Sequence, residues 1–295
     1  MSDNNKFSCL HTHTNFCDGR ADVETFCRAA FEKGLCALGF SGHAPIAAKT
    51  GFGQTSWNMK QEDLEKYCDT VRAARERWKG RLDIYLGLEV DFIPGLMGPS
   101  DRDYREMGLD YIIGSVHYVI PPKGAPFTVD APLAETEQGI KNCGGSLAVV
   151  EKYFNSLNAM INSGGFDILG HPDLVRKHNS QNRFFDEGSP SYLEKCRAAA
   201  ETAGKCGITI EVNTGGMNRG YISSPYPSLP FLEMFRKNNV PAIINADAHK
   251  PDDLDGNYTE AVKSMLMAGY SEMALPNGGK NGAPIWRFEK LHPVK

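Results

Sequence analysis

Residues 111–117 read YIIGSVH, an Ile- and Val-rich run that has no polar alternation and stops at a histidine. A strand with one wet face alternates apolar and polar residues, whereas a strand covered on both faces, as in a parallel sheet, does not. Six more runs share this character: FSCLH (7–11), CALGFS (36–41), DIYLGLEV (83–90), FDILGH (166–171), ITIEVN (208–213) and VPAIINAD (240–247). Helical periods separate them. Val23, Phe26, Cys27, Ala30 and Phe31 fall at helical spacing, and Gly34 can end that helix. Leu64, Tyr67, Cys68 and Val71 repeat the pattern, as do Leu147, Val150, Phe154, Leu157 and Ile161. Further helices are expected near 191–205, 228–238 and 257–268. Strand–helix alternation is the signature of a parallel α/β fold. Seven strand candidates predict a barrel of the TIM type, incomplete or distorted, with an open doubly wound sheet as the competing architecture.

Nothing in the interior reads as a linker, so residues 1–295 are taken as one domain. Three long stretches, 91–108, 119–145 and 172–190, read as irregular. Loops this long are usually functional or disordered, and each follows a strand candidate, so each is expected on the face where the strands end.

Composition excludes several function classes. The net charge is −4 and there is no basic tract, so a nucleic-acid partner is not expected. No apolar run is long enough to span a bilayer, and the polar start MSDNNKFS has no signal-peptide core. The eight cysteines include no C-x-x-C pair and read as buried reduced thiols of a cytoplasmic protein.

The chemistry lies in the histidines. Of eight, seven lie at a predicted strand end or in the segment that follows it. His11 and His13 close the first run as H-x-H, His43 follows the second, and Glu89 ends the third. His117 and His171 end the next two, and Asp247 and His249 close the seventh as D-x-H. A period of two points both members of each pair to one face. Strand C-terminal ends converge in a barrel, so residues scattered along the chain would meet. Imidazole and carboxylate ligands suit Zn, Mn or Fe(II), and Glu89 is the natural bridge between ions. His178 and His292 are read as ordinary structural histidines. A nucleophile elbow, a Walker A loop, H-E-x-x-H and G-x-G-x-x-G are all missing from the sequence.

These residues, in the contexts HTHTNFCDG, SGHAP, GLEVDFIPG, DYIIGSVHY, FDILGHPDLVRK, EVNTGG and INADAH, resemble the PHP (polymerase and histidinol phosphatase) family over about residues 8–250. Their order is most similar to its histidinol-phosphate phosphatase branch. The resemblance implies a distorted (β/α)7 barrel with up to three divalent ions, Zn, Mn or Fe. His11, His13, Glu89 and Asp247 would ligate one. Glu89, His117 and His171 would hold a second, and Asp18, His43 and His249 a third; some members carry histidine where this chain has Asp18. Glu89, Asp247 and His249 are the implied catalytic residues.

The resemblance also implies that Arg176 and Arg219 bind phosphate, as planar guanidinium forks do well. Lys177 and Arg183 are weaker candidates, and Tyr118 is expected near the substrate. The implied reaction is hydrolysis of L-histidinol phosphate to L-histidinol and phosphate, in histidine biosynthesis. The alternatives are a related phosphoesterase acting on another small ester or nucleotide, and a non-catalytic metal-binding module.

Overall fold

The computed structural model describes residues 6–52, 55–101, 104, 106–280 and 283–293. All seven expected strands form: β1 (Ser8–Cys9), β2 (Ala37–Phe40), β3 (Asp83–Asp91), β4 (Tyr111–Ser115), β7 (Ile168–Leu169), β8 (Thr209–Asn213) and β9 (Ala242–Asn245). They pair in parallel in the order β1-β2-β3-β4-β7-β8-β9. Just beyond β1 and β9 the chain ends of the sheet meet. Thr12 bridges Ala248, the His13 amide donates to the Ala248 carbonyl at 2.9 Å, and the Ala248 amide donates to the His11 carbonyl at 3.0 Å. The sheet therefore curls into a barrel, and the open-sheet alternative is set aside. Strands β1 and β7 are only two residues long, which is the distortion.

Leu10, Tyr85, Tyr111, Ile113, Ile168 and Ile243 form an apolar cluster of their own within the strands. The Tyr111 ring fits there because β2 and β3 carry glycine beside it. A Cβ at Gly39 or Gly87 would lie 2.4 or 2.6 Å from Tyr111 atoms. A C-terminal hairpin, β10 (Glu272–Lys280) and β11 (Ala283–Lys290), packs Ala274 and Trp286 against this cluster. The Gly278 amide also donates to the Tyr85 hydroxyl at 2.9 Å. Tyr85 and Ala37 lie at the strand starts, so the hairpin covers that end of the barrel.

Helices α1 (Val23–Glu32), α2 (Leu64–Trp78), α4 (Ser146–Ser163), α5 (Pro190–Cys206), α7 (Leu229–Lys237) and α8 (Tyr258–Met267) match the expected helical stretches. Asp22 caps α1 by accepting from the Thr25 amide at 2.8 Å. Two residues of the expected apolar stripes face outward. Phe31 is 47% exposed in the last turn of α1, and Leu147 is 64% exposed in the first turn of α4. Helix ends overrun the surface they pack on, so a stripe extended into the first or last turn overshoots.

The stretch 119–145 is not wholly irregular. β5 (Tyr118–Val119) pairs antiparallel with β6 (Phe127–Thr128), and α3 (Leu133–Cys143) follows. Helix α3 escapes an apolar-period reading because it packs through Gly139, where a Cβ would lie 2.5 Å from the Phe127 ring. The stretch 172–190 holds two 3-10 turns, Leu174–Arg176 and Ser180–Asn182. In 91–108, Ile93 and Met97 close a tight turn, while positions 102, 103 and 105 lie outside the described residues, as do positions 1–5. The cysteines are all unpaired; Cys17 and Cys36 are half-buried and Cys206 is exposed rather than buried. No helix among the described residues is long and apolar enough to cross a membrane.

Candidate metal centre

Glu89, one residue pair before the end of β3, is the hub of the open end. Its Oε2 lies 2.9 Å from His43 Nδ1, 3.3 Å from His11 Nε2 and 3.6 Å from His13 Nε2. Its Oε1 lies 3.0 Å from His171 Nε2 and 3.6 Å from His117 Nε2, and accepts from the Ser115 hydroxyl at 2.6 Å. Asp247 Oδ1 reaches His13 Nε2 at 3.3 Å and His249 Nδ1 at 3.5 Å. Asp18 Oδ2 reaches His249 Nε2 at 3.1 Å. The turn bearing Asp18 folds back tightly on His13: a Cβ at Gly19 would lie 2.2 Å from the His13 carbonyl oxygen.

Two of these residues bend the backbone to get there. His171 has φ 21° and Asp247 has φ 49°, both in the left-handed region that side chains disfavour. Surrounding contacts hold them. The His171 amide donates to Glu211 Oε1 at 2.8 Å, and the Asp247 carbonyl accepts from Arg219 at 3.0 Å.

The donor atoms fit metal ions. His11 Nε2, His13 Nε2, His43 Nδ1, Glu89 Oε2 and Asp18 Oδ1 are buried and have no hydrogen-bond partner among the described residues. Burying that many unpaired polar atoms costs free energy that cations at the cluster would recover. Four groupings place their ligand atoms within 4.8 Å of one another: His13/Asp18/His43/His249, His11/His13/Glu89, His11/His171/Asp247 and His43/Glu89/His117. Each of the nine expected ligands belongs to at least one. The third expected set recurs with His13 added. The other two interleave, because His11, His13, His43 and Glu89 are each shared.

Charge tuning follows from burial and neighbours. Burial, with His249 and His43 beside it, pushes His13 down to about 3, leaving a neutral imidazole. Burial also works to raise Glu89, but His11, His43 and His117 outweigh it and hold the carboxyl well below the usual range. Asp247 is likewise held well below it, against burial, by Arg219 and His11. For His117 burial favours the neutral ring, yet Asp91 and Glu89 raise it to about 10.

Two further buried acids hold the candidate ligands His11 and His117 from behind. Glu211 accepts from His11 Nδ1 at 2.9 Å and from Asn213 and Asn245 at 2.7 and 3.0 Å. Asp91 accepts from His117 Nδ1 at 2.7 Å. Such partners fix which ring nitrogen is free for a metal. The signal was present as E-x-D in GLEVDF and E-x-N in EVNTGG, spaced to share a strand face.

A cavity of about 450 Å³ opens over the cluster, lined also by Trp57, Asp130, Glu135, Lys177, Arg219 and Tyr221. Arg219 lines this cavity: its Nη2 pairs with Asp247 Oδ2 at 2.9 Å and its Nη1 meets His249 Nδ1 at 3.1 Å. Arg176 does not reach this wall. Its guanidinium is buried against Glu187 at 2.6 Å and Asp173 at 3.3 Å, and its Nη2 donates to Ser224 at 3.3 Å. The neighbouring Lys177 lines the cavity instead, donating to the Asp130 carbonyl at 2.6 Å. Arg183 pairs with Glu137 at 2.8 Å. Tyr118 is buried and stacked on Trp57 at 5.7 Å, so Trp57 meets the cavity and Tyr118 backs it. His178 Nε2 donates to the Ala131 carbonyl at 2.8 Å.

A barrel whose strand ends gather histidines and carboxylates around one central glutamate has the plan of a metal-dependent hydrolase. The model of the PHP domain matches residues 10–215, and the chain belongs to that family. It is 29% identical over 260 residues to a Deinococcus radiodurans protein named "Probable histidinol-phosphatase", covering 88% of this chain and 92% of that one. It is 26% identical over 261 residues to the histidinol-phosphatase of Bacillus subtilis, covering 84% and 95%. A solved structure from Listeria monocytogenes, provisionally assigned as a histidinol phosphatase, superposes with TM-score 0.78 at 22% identity over 85% of this chain and 98% of that one. The histidinol phosphate phosphatase of Lactococcus lactis, solved with zinc, L-histidinol and phosphate, superposes with TM-score 0.66 at 16% identity over 95% and 99%. At these identities the two structures bear on the fold.

Proposed function

We propose that this protein is a metal-dependent phosphomonoesterase that hydrolyses L-histidinol phosphate to L-histidinol and phosphate, in histidine biosynthesis. The observation that carries the reading is Glu89 ringed by five imidazoles beneath a cavity that Arg219 enters. The names of the Bacillus and Deinococcus relatives supply the substrate. Residues 1–295 act as one unit on a small phosphate ester in the cytoplasm, without a nucleic-acid or membrane partner.

His11, His13, Asp18, His43, Glu89, His117, His171, Asp247 and His249 would hold the divalent ions, Zn, Mn or Fe, in the three sets the resemblance implies. Bound ions supply Lewis-acid polarisation of phosphoryl oxygens and activation of water. The protein's own groups do the rest. Glu89 and Asp247 stay ionised and fix the positions of the imidazoles around them. Arg219 presents a cation at the cavity wall to phosphoryl oxygens, and Lys177 adds a second. Asp247 and His249 both touch Arg219, so the fork is aimed by the residues that would hold the metal.

A substrate panel tests the assignment. Histidinol phosphate should be turned over with kcat/KM well above that of 4-nitrophenyl phosphate, glycerol phosphate and nucleoside monophosphates. Equal rates across the panel would sink the choice of substrate and leave a general phosphomonoesterase.

A further inference from the structure

We infer that Asp130 is a specificity-determining residue: its carboxylate receives a positively charged group on the leaving-group side of the phosphate ester. The inference rests on the phosphatase reading above and names what that reading leaves open, the chemical class of alcohol released.

Asp130 follows β6 in the hairpin that grows out of the His117 segment. Tyr118 pairs with Thr128, and the Val129 amide donates to the His117 carbonyl at 2.9 Å. The residue is thus tethered to a strand end that carries a ligand. It lines the cavity with its side chain 34% exposed, and it belongs to none of the four metal groupings found among the described residues. A carboxylate that ligates no metal is a liability in a cavity meant for a phosphate dianion, because like charges repel there with little screening. A neutral leaving group would gain nothing from it. An ammonium or imidazolium close to the ester oxygen would turn the same charge into an attraction and a charge-assisted hydrogen bond.

The plain alternative is that Asp130 serves only to hold Lys177. The geometry assigns that task elsewhere. Lys177 donates to the Asp130 main-chain carbonyl at 2.6 Å, while its distance to the carboxylate is 4.0 Å. Replacing the carboxylate by an amide leaves the main-chain bond in place. Glu135, also on the lining, is exposed at the start of α3 and provides a control acid nearer to solvent.

The test is Asp130→Asn in the metal-loaded full chain, assayed on two matched pairs of esters. The first pair is L-histidinol phosphate against 4-nitrophenyl phosphate, and the second is phosphoethanolamine against ethyl phosphate. Loss of one charge-assisted hydrogen bond predicts a fall in kcat/KM of about 10- to 100-fold for the cationic member of each pair. The neutral member should be unchanged or faster. Glu135→Gln should alter neither ratio by more than about twofold, as expected of an exposed charge. A parallel fall for cationic and neutral esters, or no change in either, would overturn the role of Asp130. If histidinol phosphate proves a poor substrate, the ethanolamine pair still reads the charge preference, so the two readings fail separately. Should Asp130→Asn fold poorly, Asp130→Ser read against the same pairs decides in the same way.

Discussion

The Nδ1 atom of His11 lies 2.9 and 3.1 Å from the two oxygens of Glu211, across the barrel from β1 to β8. With Nδ1–H donating to Glu211, the lone pair of His11 Nε2, 3.3 Å from Glu89, is left for a metal. Glu211 is fully buried and also accepts from the His171 amide, Asn213 and Asn245. Glu211→Gln offers those donors one oxygen instead of two. Metal affinity should fall about 10- to 100-fold, the usual effect of losing such a support. Competition against a chromogenic chelator measures it, and an affinity equal to the parent's would show that Glu211 does not orient His11.

Metal removal should also lower stability. Five of the cluster's buried ligand atoms have no hydrogen-bond partner among the described residues, so ions that bind only the folded chain add free energy to it. One ion at a free concentration of about a thousand times its Kd contributes about 4 kcal/mol. For a chain this long that corresponds to a Tm rise of at least about 5 °C. Thermal unfolding of chelator-stripped protein with and without added zinc measures the shift, and coincident curves would count against a metal site here.

Arg176 and Arg219 should part company when each is changed to alanine. Arg176 is buried between Glu187 and Asp173, and removing one partner of a buried ion pair typically costs about 3 kcal/mol or more. Arg176→Ala is therefore expected to unfold at markedly lower denaturant while kcat/KM of the folded fraction changes little. Arg219→Ala should keep its stability to within about 1 kcal/mol, its pair being part-exposed, and lose about 10- to 100-fold in kcat/KM. The reverse pattern would return the phosphate role to Arg176.

Gly215 opens the short helix α6 (Gly215–Asn218) directly beneath the Arg219–Asp247 pair. A Cβ there would lie 2.8 Å from Asp247 Oδ2 and 2.9 Å from Arg219 Nη2. Gly215→Ala should displace these side chains and lower kcat/KM at least about tenfold, because catalytic geometry tolerates little misplacement. Far-UV circular dichroism should be unchanged. Parent-like kinetics would mean that the pair relaxes without consequence.

Much of this was legible in the chain because parallel strands buried on both faces are written as plain apolar runs. The expected ligands lie at or just beyond the ends of those runs, and the barrel gathers those ends at one face. What escaped did so for physical reasons. Glu211 and Asp91 share a strand face with Asn213 and Glu89, but that spacing does not say which histidine each acid supports until the partner is seen in the fold. Arg176 and Lys177 adjoin in a 3-10 turn, where successive side chains diverge by about a third of a turn, so the sequence could not say which one meets the cavity. Helix α3 packs through Gly139, and strand β10 of the closing hairpin includes Pro276, Gly278 and Gly279, which mask strand character.

The central claim is that hydrolysis depends on ions held by the nine candidate ligands at the open end of the barrel. Its most direct test is to strip the purified protein with a chelator, count metal by mass spectrometry, and follow histidinol phosphate hydrolysis as zinc, manganese or iron(II) is titrated back. The account predicts activity falling with metal content and returning as the sites fill, and no recovery for His13→Ala or Asp247→Asn. Full activity in stripped protein holding less than about one ion per chain would contradict it.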